Sequence, residues 1–470
     1  MKVSHAAGPV PLPEDKAVTL EASGQIRIAF VDARNKTKLF REIAERLDQR
    51  VFWLIQDHSS LDRETPNAYF LPYPKRRDLN NRRVPVDPTA DRILRRVESS
   101  DRVKNVFGRS TRHYAWYYGL ITDWLDDVKP DVLFGEAGSF HSHMTALLAE
   151  ERGIPFLNPL SSRYPPGRFA FFRSDRIVPV GGSGEVLSTE ELSVLVRRIN
   201  EGSLAPDYMA VKRPVISKVT GRLRAGIEWV RGEKYTSQAP WRFLHNRMHR
   251  QQMISKWEAL SVPLPPANDA HLRVLYPLQV QPEMNLDVWG FKHRDQAALV
   301  EQLARWAHQQ GAELWVKPNP KSSFELSEAL IRILESTRGV KALSHSVRMN
   351  EIVDDMNLVV TVSGSIAIER LLKQAPVLIL NRDYSDWVAG KEFYQDEPLT
   401  QLTVTDLLDV ADYPSPNDVA SRLLHTSFPG VISEPMMMPE VLGEKNITHI
   451  TSAFRRIIKR CTEPQAGPLT

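Results

Sequence analysis

The 470-residue sequence is poor in three features that would narrow its class at once: cysteine, net charge and long apolar runs. Its one cysteine, Cys461, excludes an internal disulfide and a zinc site built on several cysteines. No stretch approaches the roughly 20 apolar residues that cross a bilayer, and the N-terminus lacks the apolar segment of a signal peptide. A formal net charge of +4 does not favour nucleic acid as a partner. We therefore expect a cytoplasmic protein.

The rest of the composition is that of a globular protein with more than one domain. Hydrophobic residues make up 42% and charged residues 25% of the chain, and the length favours two or three domains. Short apolar segments alternate with amphipathic helical patterns from residue 25, and again from residue 271. This alternation predicts an α/β fold of two Rossmann-like domains with a helical connector.

The predicted organisation has five parts. They are a flexible N-terminus (1–24), an N-terminal Rossmann-like domain (25–205), a basic helical connector (206–268), a C-terminal Rossmann-like domain (269–440), and a C-terminal helix and tail (441–470).

Two charged segments interrupt the alternation. Residues 73–104 are rich in proline and arginine, which favours a solvated loop over an anion-binding surface. Residues 207–258 hold eleven Lys or Arg against four acidic residues, with apolar residues interspersed. A solvated helix face is the favoured interpretation of this second segment, and contact with a membrane or an acidic partner is the alternative.

The clearest candidate for ligand binding is the turn Ser363-Gly364-Ser365. It follows an apolar strand over 358–362 and begins a helix. Backbone N–H groups at a helix start favour phosphate, and glycine allows a close approach. Glu369, one turn further on, could accept hydrogen bonds from ribose hydroxyls. The alternative is a purely structural role, in which a serine caps the helix and Glu369 lies on the helix surface without binding a ligand.

Two further loops follow strands of the second half. Lys317 ends one strand, and Lys317, Asn319 and Pro320 could hold a donor's phosphate or base. A proline-rich exit loop with a solvated lysine is the alternative. Gln281 and Glu283 follow another strand, as candidate substrate ligands that would face the cleft between the domains. Glu283 could bind sugar hydroxyls or a cationic side chain of a partner. In parallel α/β sheets ligands bind beyond the carboxyl ends of strands, which is why these loops are the candidates.

The first half offers a carboxylate in a comparable place. Glu136 follows an apolar strand and a glycine, where it could serve as general base towards an acceptor hydroxyl, or only cap the next helix. Arg163 and Arg168 could neutralise an acidic sugar or a phosphate, or form ordinary surface pairs. His141 and His143 are two apart on a predicted helix and point to different sides, so we expect no metal site.

Segments in a defined order resemble the bacterial capsule polysaccharide biosynthesis and export family, which includes β-Kdo transferases. They span about residues 130–385 and read FGEAGSFHSHMTALLAERGIPFLNP with SSRYPPGRFAFF, VLYPLQVQPEMNLDVWGFKHRDQ, VKPNP, and TVSGSIAIERLLKQAPVLIL. The resemblance implies a GT-B-like fold, a role in building surface glycan at the cytoplasmic membrane face, and a nucleotide-sugar donor such as CMP-Kdo.

The resemblance also implies residue roles. Related Kdo and sialic acid transferases hold the donor phosphate with a His-Pro turn and a Ser/Thr-rich helix start, and use an acidic base in the N-terminal domain. Those roles fall here on Asn319-Pro320, on residues 363–365 and on Glu136. The family's histidine is Asn319 in this chain, and asparagine can donate a hydrogen bond but cannot carry positive charge.

We therefore expect a metal-independent inverting glycosyltransferase of capsule synthesis, with no cofactor. Its acceptor, a glycan or glycolipid, would bind residues 25–205, and its nucleotide-sugar donor would bind residues 269–440. Capsule assembly machinery at the inner membrane is an expected partner, and a peripheral position on that membrane is the alternative to a purely cytoplasmic one. The alternatives are a sugar-nucleotide epimerase and a non-catalytic polysaccharide export or assembly protein, which Asn319 keeps open.

Overall fold

The computed structural model describes most of the chain, apart from both ends and several internal segments. The described residues are 25–81, 87–101, 110–210, 223, 226–236, 239, 241–266, 272–321, 324–390 and 399–463. The predicted flexible N-terminus and parts of the predicted connector lie outside them. Within these ranges no helix combines the length and apolarity needed to span a membrane.

The strands are short and mostly buried. They are β1 (Arg27–Val31), β2 (Arg50–Ile55), β3 (Ala68–Phe70), β4 (Val132–Phe134), β5 (Phe156–Ser161), β6 (Arg168–Arg173), β7 (Leu272–Pro277), β8 (Ala312–Lys317), β9 (Val340–Ala342), β10 (Leu358–Thr361), β11 (Val377–Ile379) and β12 (Phe428–Pro429).

The α-helices connect the strands and cover the sheets. They are α1 (Thr37–Ala44), α2 (Arg76–Asn81), α3 (Pro88–Ser100), α4 (Arg112–Val128), α5 (Phe140–Glu151), α6 (Thr189–Asn200), α7 (Asp207–Ala210), α8 (Arg242–Leu260), α9 (Gln296–Gln309), α10 (Glu328–Ser336), α11 (Ile366–Leu372), α12 (Arg382–Ala389), α13 (Val404–Leu408), α14 (Pro416–His425) and α15 (Glu444–Thr462).

The strands form two sheets, which define two lobes. The first lobe has the order β12-β6-β5-β4-β1-β2-β3, and the second has the order β11-β10-β7-β8-β9. Strands β1 to β5 are parallel, β6 and β12 add an antiparallel edge, and β7 to β11 are all parallel. Read from one edge, each parallel set follows the 3-2-1-4-5 order of a Rossmann-like sheet. The predicted α/β fold with two Rossmann-like units is confirmed.

Each sheet is buried on both faces, as parallel sheets require. In the first lobe one face packs on α1 and α15, and the other packs on α3, α4 and α5. In the second lobe one face packs on α6, α11, α12 and α14, and the other packs on α8, α9 and α10. The apolar strand sequences, which lack polar alternation, follow from this double coverage.

The chain crosses between the lobes earlier than the predicted boundaries at 205 and 440. Helix α6, expected in the first lobe, packs on the second, where the Asn200 side chain donates to the Leu372 carbonyl at 2.9 Å. Strand β12, expected in the second lobe, pairs with β6 of the first. Helix α15 then packs its Phe454 ring against Phe134 of the first sheet, with ring centroids 4.6 Å apart.

The described residues of segment 73–104 are largely helical, whereas its composition predicts a solvated loop. Helix α3 occupies residues 88–100, with Ala90, Ile93 and Val97 buried on one face. Asp87 caps this helix by accepting a hydrogen bond from the Thr89 N–H at 3.0 Å. Three apolar residues at spacings of three and four are enough to anchor a helix whose other face is charged.

Candidate functional site

The two sheets each have a switch point, where the strand order reverses. It lies between β1 and β4 in the first lobe and between β7 and β10 in the second. A Rossmann-like sheet opens a crevice at this point, beyond the carboxyl ends of its strands. The loops that follow these four strands therefore mark the place where a ligand is expected.

Loops of the two lobes meet here, and one of them, residues 161–165, follows β5 and not a switch-point strand. Arg163 of the first lobe donates from Nη1 to the Ser363 carbonyl at 2.6 Å and from Nη2 to the Asn285 Oδ1 at 3.1 Å. A Cβ atom built on Gly138 would lie 3.6 Å from the Cβ of Met284. We call these loops, residues 135–139, 161–165, 278–285 and 363–365, the interlobe junction.

The predicted phosphate turn lies at this junction and is held by several hydrogen bonds. The buried Ser363 hydroxyl donates to the Asn285 carbonyl at 2.8 Å, and the Gly364 N–H donates to Thr361 Oγ1 at 3.1 Å. The Tyr384 hydroxyl donates to the Gly364 carbonyl at 3.1 Å. The turn is therefore rigid, and two donors that were predicted to bind phosphate already have protein partners.

Glycine is required at the centre of this turn for steric reasons. A Cβ atom on Gly364 would lie 2.8 Å from Thr361 Oγ1, closer than side chains tolerate. The same feature recurs after β4, where a Cβ on Gly135 would lie 2.9 Å from the ring of Phe156. At both switch-point loops the backbone thus lies so close to a neighbouring side chain that any residue other than glycine would displace that side chain.

Glu369 stands one turn into α11 and is partly buried. Tyr164 of the first lobe donates its hydroxyl to Glu369 Oε1 at 3.3 Å. Burial raises the pKa of the Glu369 carboxyl, and hydrogen bonds from Tyr164 and Ser365 offset only part of that effect. The carboxyl predicted to bind ribose is therefore placed at the junction, in surroundings that favour its neutral form.

The loop after β7 contains Gln281, whose side chain holds the loop in place, and Glu283, whose side chain is exposed. The Gln281 amide donates to Asp287 Oδ1 at 3.0 Å and to the Arg294 carbonyl at 2.9 Å, which fixes the loop. Glu283 is exposed to solvent, although protein surrounds it on most sides. This partial desolvation raises the pKa of its carboxyl, and the Arg163 charge opposes the effect. Of the two predicted sugar ligands, Glu283 is the more exposed to solvent.

The turn after β8 has fewer polar groups accessible to a ligand than its sequence predicts. The Lys317 side chain is buried and donates from Nζ to the Pro318 carbonyl at 2.6 Å. Burial lowers the pKa of this amine, with the Glu258 carboxylate acting in the opposite direction. Asn319 accepts a hydrogen bond from the Lys321 N–H at 2.9 Å, while Pro320 is exposed. A phosphate role for Lys317 stays a prediction, and its burial argues against it.

Glu136 lies at the switch point of the first lobe, directly after β4. Its carboxylate pairs with Lys36, which lies in the turn after β1. The loop around it is fixed, because the Gly138 N–H donates to the Glu136 carbonyl at 2.7 Å and the Ala137 N–H donates to Asn158 Oδ1 at 2.7 Å. The predicted base is thus held next to a cation, at the junction.

A buried carboxylate and imidazole form a pair at the same switch point as Glu136, and no local sequence pattern indicates this pair. His141 Nε2 is 2.7 Å from Asp32 Oδ1, and both side chains are almost completely buried. Asp32 also accepts from the backbone N–H groups of Gln56 at 3.0 Å and Asp57 at 3.2 Å. Burial raises the pKa of Asp32, but His141 and the two N–H groups outweigh it and hold the pKa below its ordinary value. The carboxylate therefore stays charged.

Ser139 extends this pair towards the junction. It occupies the N-cap position of α5, yet its side chain makes no capping hydrogen bond. Its hydroxyl lies 3.2 Å from His141 Nδ1 instead. This hydrogen bond links Ser139 through His141 to Asp32.

A second buried network also connects the lobes. Asp175 accepts from Arg96 at 2.8 Å and lies 3.2 Å from His143 Nε2. The Arg96 guanidinium donates to the Val288 carbonyl at 2.8 Å and stacks 3.7 Å from the centroid of the Phe291 ring. His141 and His143 thus have different carboxylate partners. In the part of the chain that the structure describes, no group of three or more His, Cys, Asp or Glu could hold a metal ion.

Arg168 is not brought to the junction. It is buried at the start of β6, where its guanidinium donates to Ser427 Oγ at 2.8 Å, to Glu185 at 2.7 Å and to Ser183 Oγ at 2.8 Å. These bonds tie β6 to the chain around β12. A substrate-binding role for Arg168 stays a prediction, and its hydrogen bonds argue against it.

Comparison with known proteins gives structural neighbours only. No family model and no curated protein matches the chain. Among solved structures, UDP-GlcNAc 2-epimerase from Neisseria meningitidis is 11% identical, with 92% of this chain and 99% of that chain covered and a TM-score of 0.26. KpsC from Thermosulfurimonas dismutans, a β-Kdo 2,4 transferase, is 14% identical over 62% and 86% of the two chains, with a TM-score of 0.31.

A third neighbour is MurG from Acinetobacter baumannii, 12% identical over 92% of this chain and 99% of that chain, with a TM-score of 0.24. At these TM-scores the fold assignment rests on the strand order of the two sheets and not on the neighbours.

Proposed function

We propose that the protein is a cytoplasmic inverting glycosyltransferase of capsule or surface polysaccharide synthesis, with a nucleotide sugar as donor and a glycan or glycolipid as acceptor. The observation that carries the proposal is the contact between the lobes at the interlobe junction, where Arg163, in the loop after β5, donates to the carbonyl of Ser363 at the switch point of the second lobe. A donor bound to one Rossmann-like lobe would face an acceptor bound to the other across this junction. Capsule assembly machinery at the inner membrane is the proposed partner, and no cofactor or metal ion is needed.

The two lobes would divide the chemistry. In the second lobe Ser365, Glu369, Glu283 and the Asn319-Pro320 turn are the proposed donor ligands, around the start of α11. In the first lobe Glu136 would take the proton from the acceptor hydroxyl as that oxygen attacks the anomeric carbon. The bond from that carbon to the nucleotide phosphate breaks as the new glycosidic bond forms. Arg163 would hold the lobes together and place positive charge beside the departing phosphate.

The second candidate is a non-catalytic export or assembly protein. The engaged Ser363 hydroxyl and Gly364 N–H favour it, because they reduce the donors that a phosphate could use. Asn319 favours it as well, since a neutral amide replaces the family's histidine. Nucleotide binding and sugar transfer therefore have to be measured separately.

Calorimetry with CMP, UDP and GDP tests the donor site. We expect one nucleotide to bind the wild-type protein, and Ser365→Ala to weaken that binding about tenfold by removing a hydrogen bond to phosphate. Ser336→Ala, on the exposed end of α10, is the matched control and should bind like wild type. If none of the three nucleotides binds, both the transferase and a nucleotide-dependent epimerase are excluded.

A further inference from the structure

Helix α8 changes character along its length. Its second half is anchored in the core of the second lobe by Met253 and Trp257, which are 1% and 0% exposed. Its beginning projects from the body of the protein. There Trp241, Leu244 and Met248 are 65%, 63% and 65% exposed, although such side chains are normally covered. Spacings of three and four place these three residues on one side of the helix.

A neighbouring segment adds to this apolar surface. Residues 226–231 are helical, and Val230 is 80% exposed, with Ile227 exposed beside it. The rings of Trp229 and Trp241 pack edge to face, with centroids 4.5 Å apart. The two segments therefore present one surface. We call its exposed apolar residues, Ile227, Val230, Trp241, Leu244 and Met248, the connector patch.

Positive charge predominates around the connector patch. From residue 241 to residue 257 the sequence contains Arg242, Arg247, Arg250 and Lys256 and no acidic residue, and of these four cations Lys256 pairs with Glu328 of α10 at 2.6 Å. The two acidic residues of the neighbouring segment, Glu228 and Glu233, are buried, at 4% and 2% exposure. Glu228 is further paired with Arg231 at 2.8 Å. The described surface here is therefore apolar at its centre and cationic at its edges.

We infer that the connector patch binds the surface of an anionic lipid bilayer. Leu, Met and Trp side chains can enter the headgroup region while arginines at their flanks contact lipid phosphates. This combination favours a lipid surface over a water-exposed helix face, because contact between water and five neighbouring apolar side chains is unfavourable. It also revises the solvated face that composition alone predicts for residues 207–258. The inference goes beyond sugar transfer and does not depend on it.

Vesicle sedimentation with the full-length protein tests this directly. Vesicles of phosphatidylcholine alone are compared with vesicles in which one lipid in three is phosphatidylglycerol, at low and high salt. We expect binding to the anionic vesicles only, reduced by high salt because each cation near the surface contributes to it. Arg247→Glu with Arg250→Glu should weaken binding about tenfold or more. Leu244→Ser with Met248→Ser should do the same, by removing the inserted apolar groups.

Matched controls separate the patch from general surface effects. Arg332→Glu with Arg338→Glu makes the same change of charge on exposed residues near the far end of α10, and Val186→Ser removes an exposed apolar side chain elsewhere. Both should bind vesicles like wild type, and unchanged thermal unfolding confirms that each variant is folded. The inference is overturned if wild type does not bind anionic vesicles, if it binds both vesicle types equally, or if patch and control variants behave alike. A dimer that the Leu244→Ser, Met248→Ser variant converts to monomer would assign the patch to a second copy instead.

Discussion

The two switch points have the same topology, but the first is built from charged side chains and the second mainly from neutral ones. In the first lobe the loops after β1 and β4 bring together charged groups: Asp32 with His141, and Glu136 with Lys36. In the second lobe the corresponding loops are joined by neutral amides and hydroxyls, such as the Gln279 amide, which donates to Ser363 Oγ at 3.3 Å.

Two carboxyls show the consequence of this difference. Asp32 of the first lobe has a lowered pKa because its protein partners stabilise the anion more than burial disfavours it. Glu369 of the second lobe has a raised pKa because burial prevails. The first switch point thus stabilises a carboxylate anion, whereas the surroundings of Glu369 at the second favour the neutral form of its carboxyl. This matches the proposed division between acceptor and donor lobes.

The largest expected effect is on the proposed base. Glu136→Gln keeps the shape of the side chain but cannot accept a proton, so turnover should fall by about 10²–10⁴-fold. Nucleotide affinity should stay within about twofold, because the donor site lies in the other lobe. The measurement is sugar transfer at saturating donor, together with calorimetry on the same variant.

Lys36→Met is the companion variant for this prediction. It removes the cation that holds Glu136 but leaves the carboxylate, so we expect a smaller loss of turnover than with Glu136→Gln. Wild-type turnover in Glu136→Gln would remove the base from the first lobe and with it the division of roles. Full loss of nucleotide binding would instead show that the substitution disturbs both lobes.

Asp32→Asn should give the largest loss of stability. Removing one partner of a buried charge pair costs about 3 kcal/mol or more in the free energy of unfolding. Since the folded-state pKa of Asp32 lies below its ordinary value of 3.8, its contribution is complete above that pH. It is lost as the pH falls through the folded-state pKa. Urea denaturation should therefore show a large gap between wild type and variant at pH 7 that narrows under acid conditions.

Asp126→Asn is the control, because Asp126 forms an exposed ion pair with Arg152 at 2.8 Å. A surface pair of this kind contributes about 0–1 kcal/mol. Equal losses in the two variants would mean that burial does not distinguish Asp32, and a gap that widens in acid would contradict the sign of its pKa shift.

The sequence predicts the parts of this comparison that depend on local pattern. Alternating strands and helices identified both Rossmann-like units, and the rule that ligands bind beyond strand ends led to Glu136 and to residues 363–365. These features depend on neighbouring residues and on a topology that short connections enforce. Gly364 was predicted to allow the close approach of a ligand, and the structure places Thr361 Oγ1 close to it.

Other parts depend on contacts between distant residues and were not predictable. Asp32 and His141 are 109 residues apart, and nothing in either local sequence indicates a partner. Ser139 matches the pattern of an N-cap, yet its hydroxyl turns to the imidazole. Arg168 was predicted to bind an anion because arginine in a loop is usually accessible, and only the fold shows that it is buried. The positions of α6 on the second lobe and of β12 in the first likewise depend on contacts between residues far apart in sequence.

Gly364→Ala should have a smaller effect, confined to the second lobe. The added methyl group would displace the Thr361 hydroxyl and weaken its hydrogen bond to the Gly364 N–H, at a cost of about 1–2 kcal/mol. Combining it with Thr361→Ala should cost less than the sum of the single changes, because the obstructing oxygen is gone. Gly226→Ala, where an added Cβ meets nothing within 4 Å, is the control and should not destabilise. Strict additivity in the double variant would contradict the steric explanation.

Glu369→Gln should have the smallest effect, and of the opposite sign to Asp32→Asn. Because the folded-state pKa of Glu369 is raised above its ordinary value of 4.5, the folded state binds the proton more tightly than the unfolded chain. The wild-type free energy of unfolding therefore falls as the pH rises from the ordinary pKa through the folded-state pKa. At pH 7 the charged carboxylate destabilises the folded state, whereas glutamine does not. The variant keeps an oxygen for the Tyr164 hydroxyl, so it should be as stable as wild type at pH 4 and more stable at pH 7, by no more than about 1 kcal/mol. Thermal unfolding at the two pH values measures this, and a variant less stable than wild type at pH 7 would show that the second switch point stabilises negative charge as the first does.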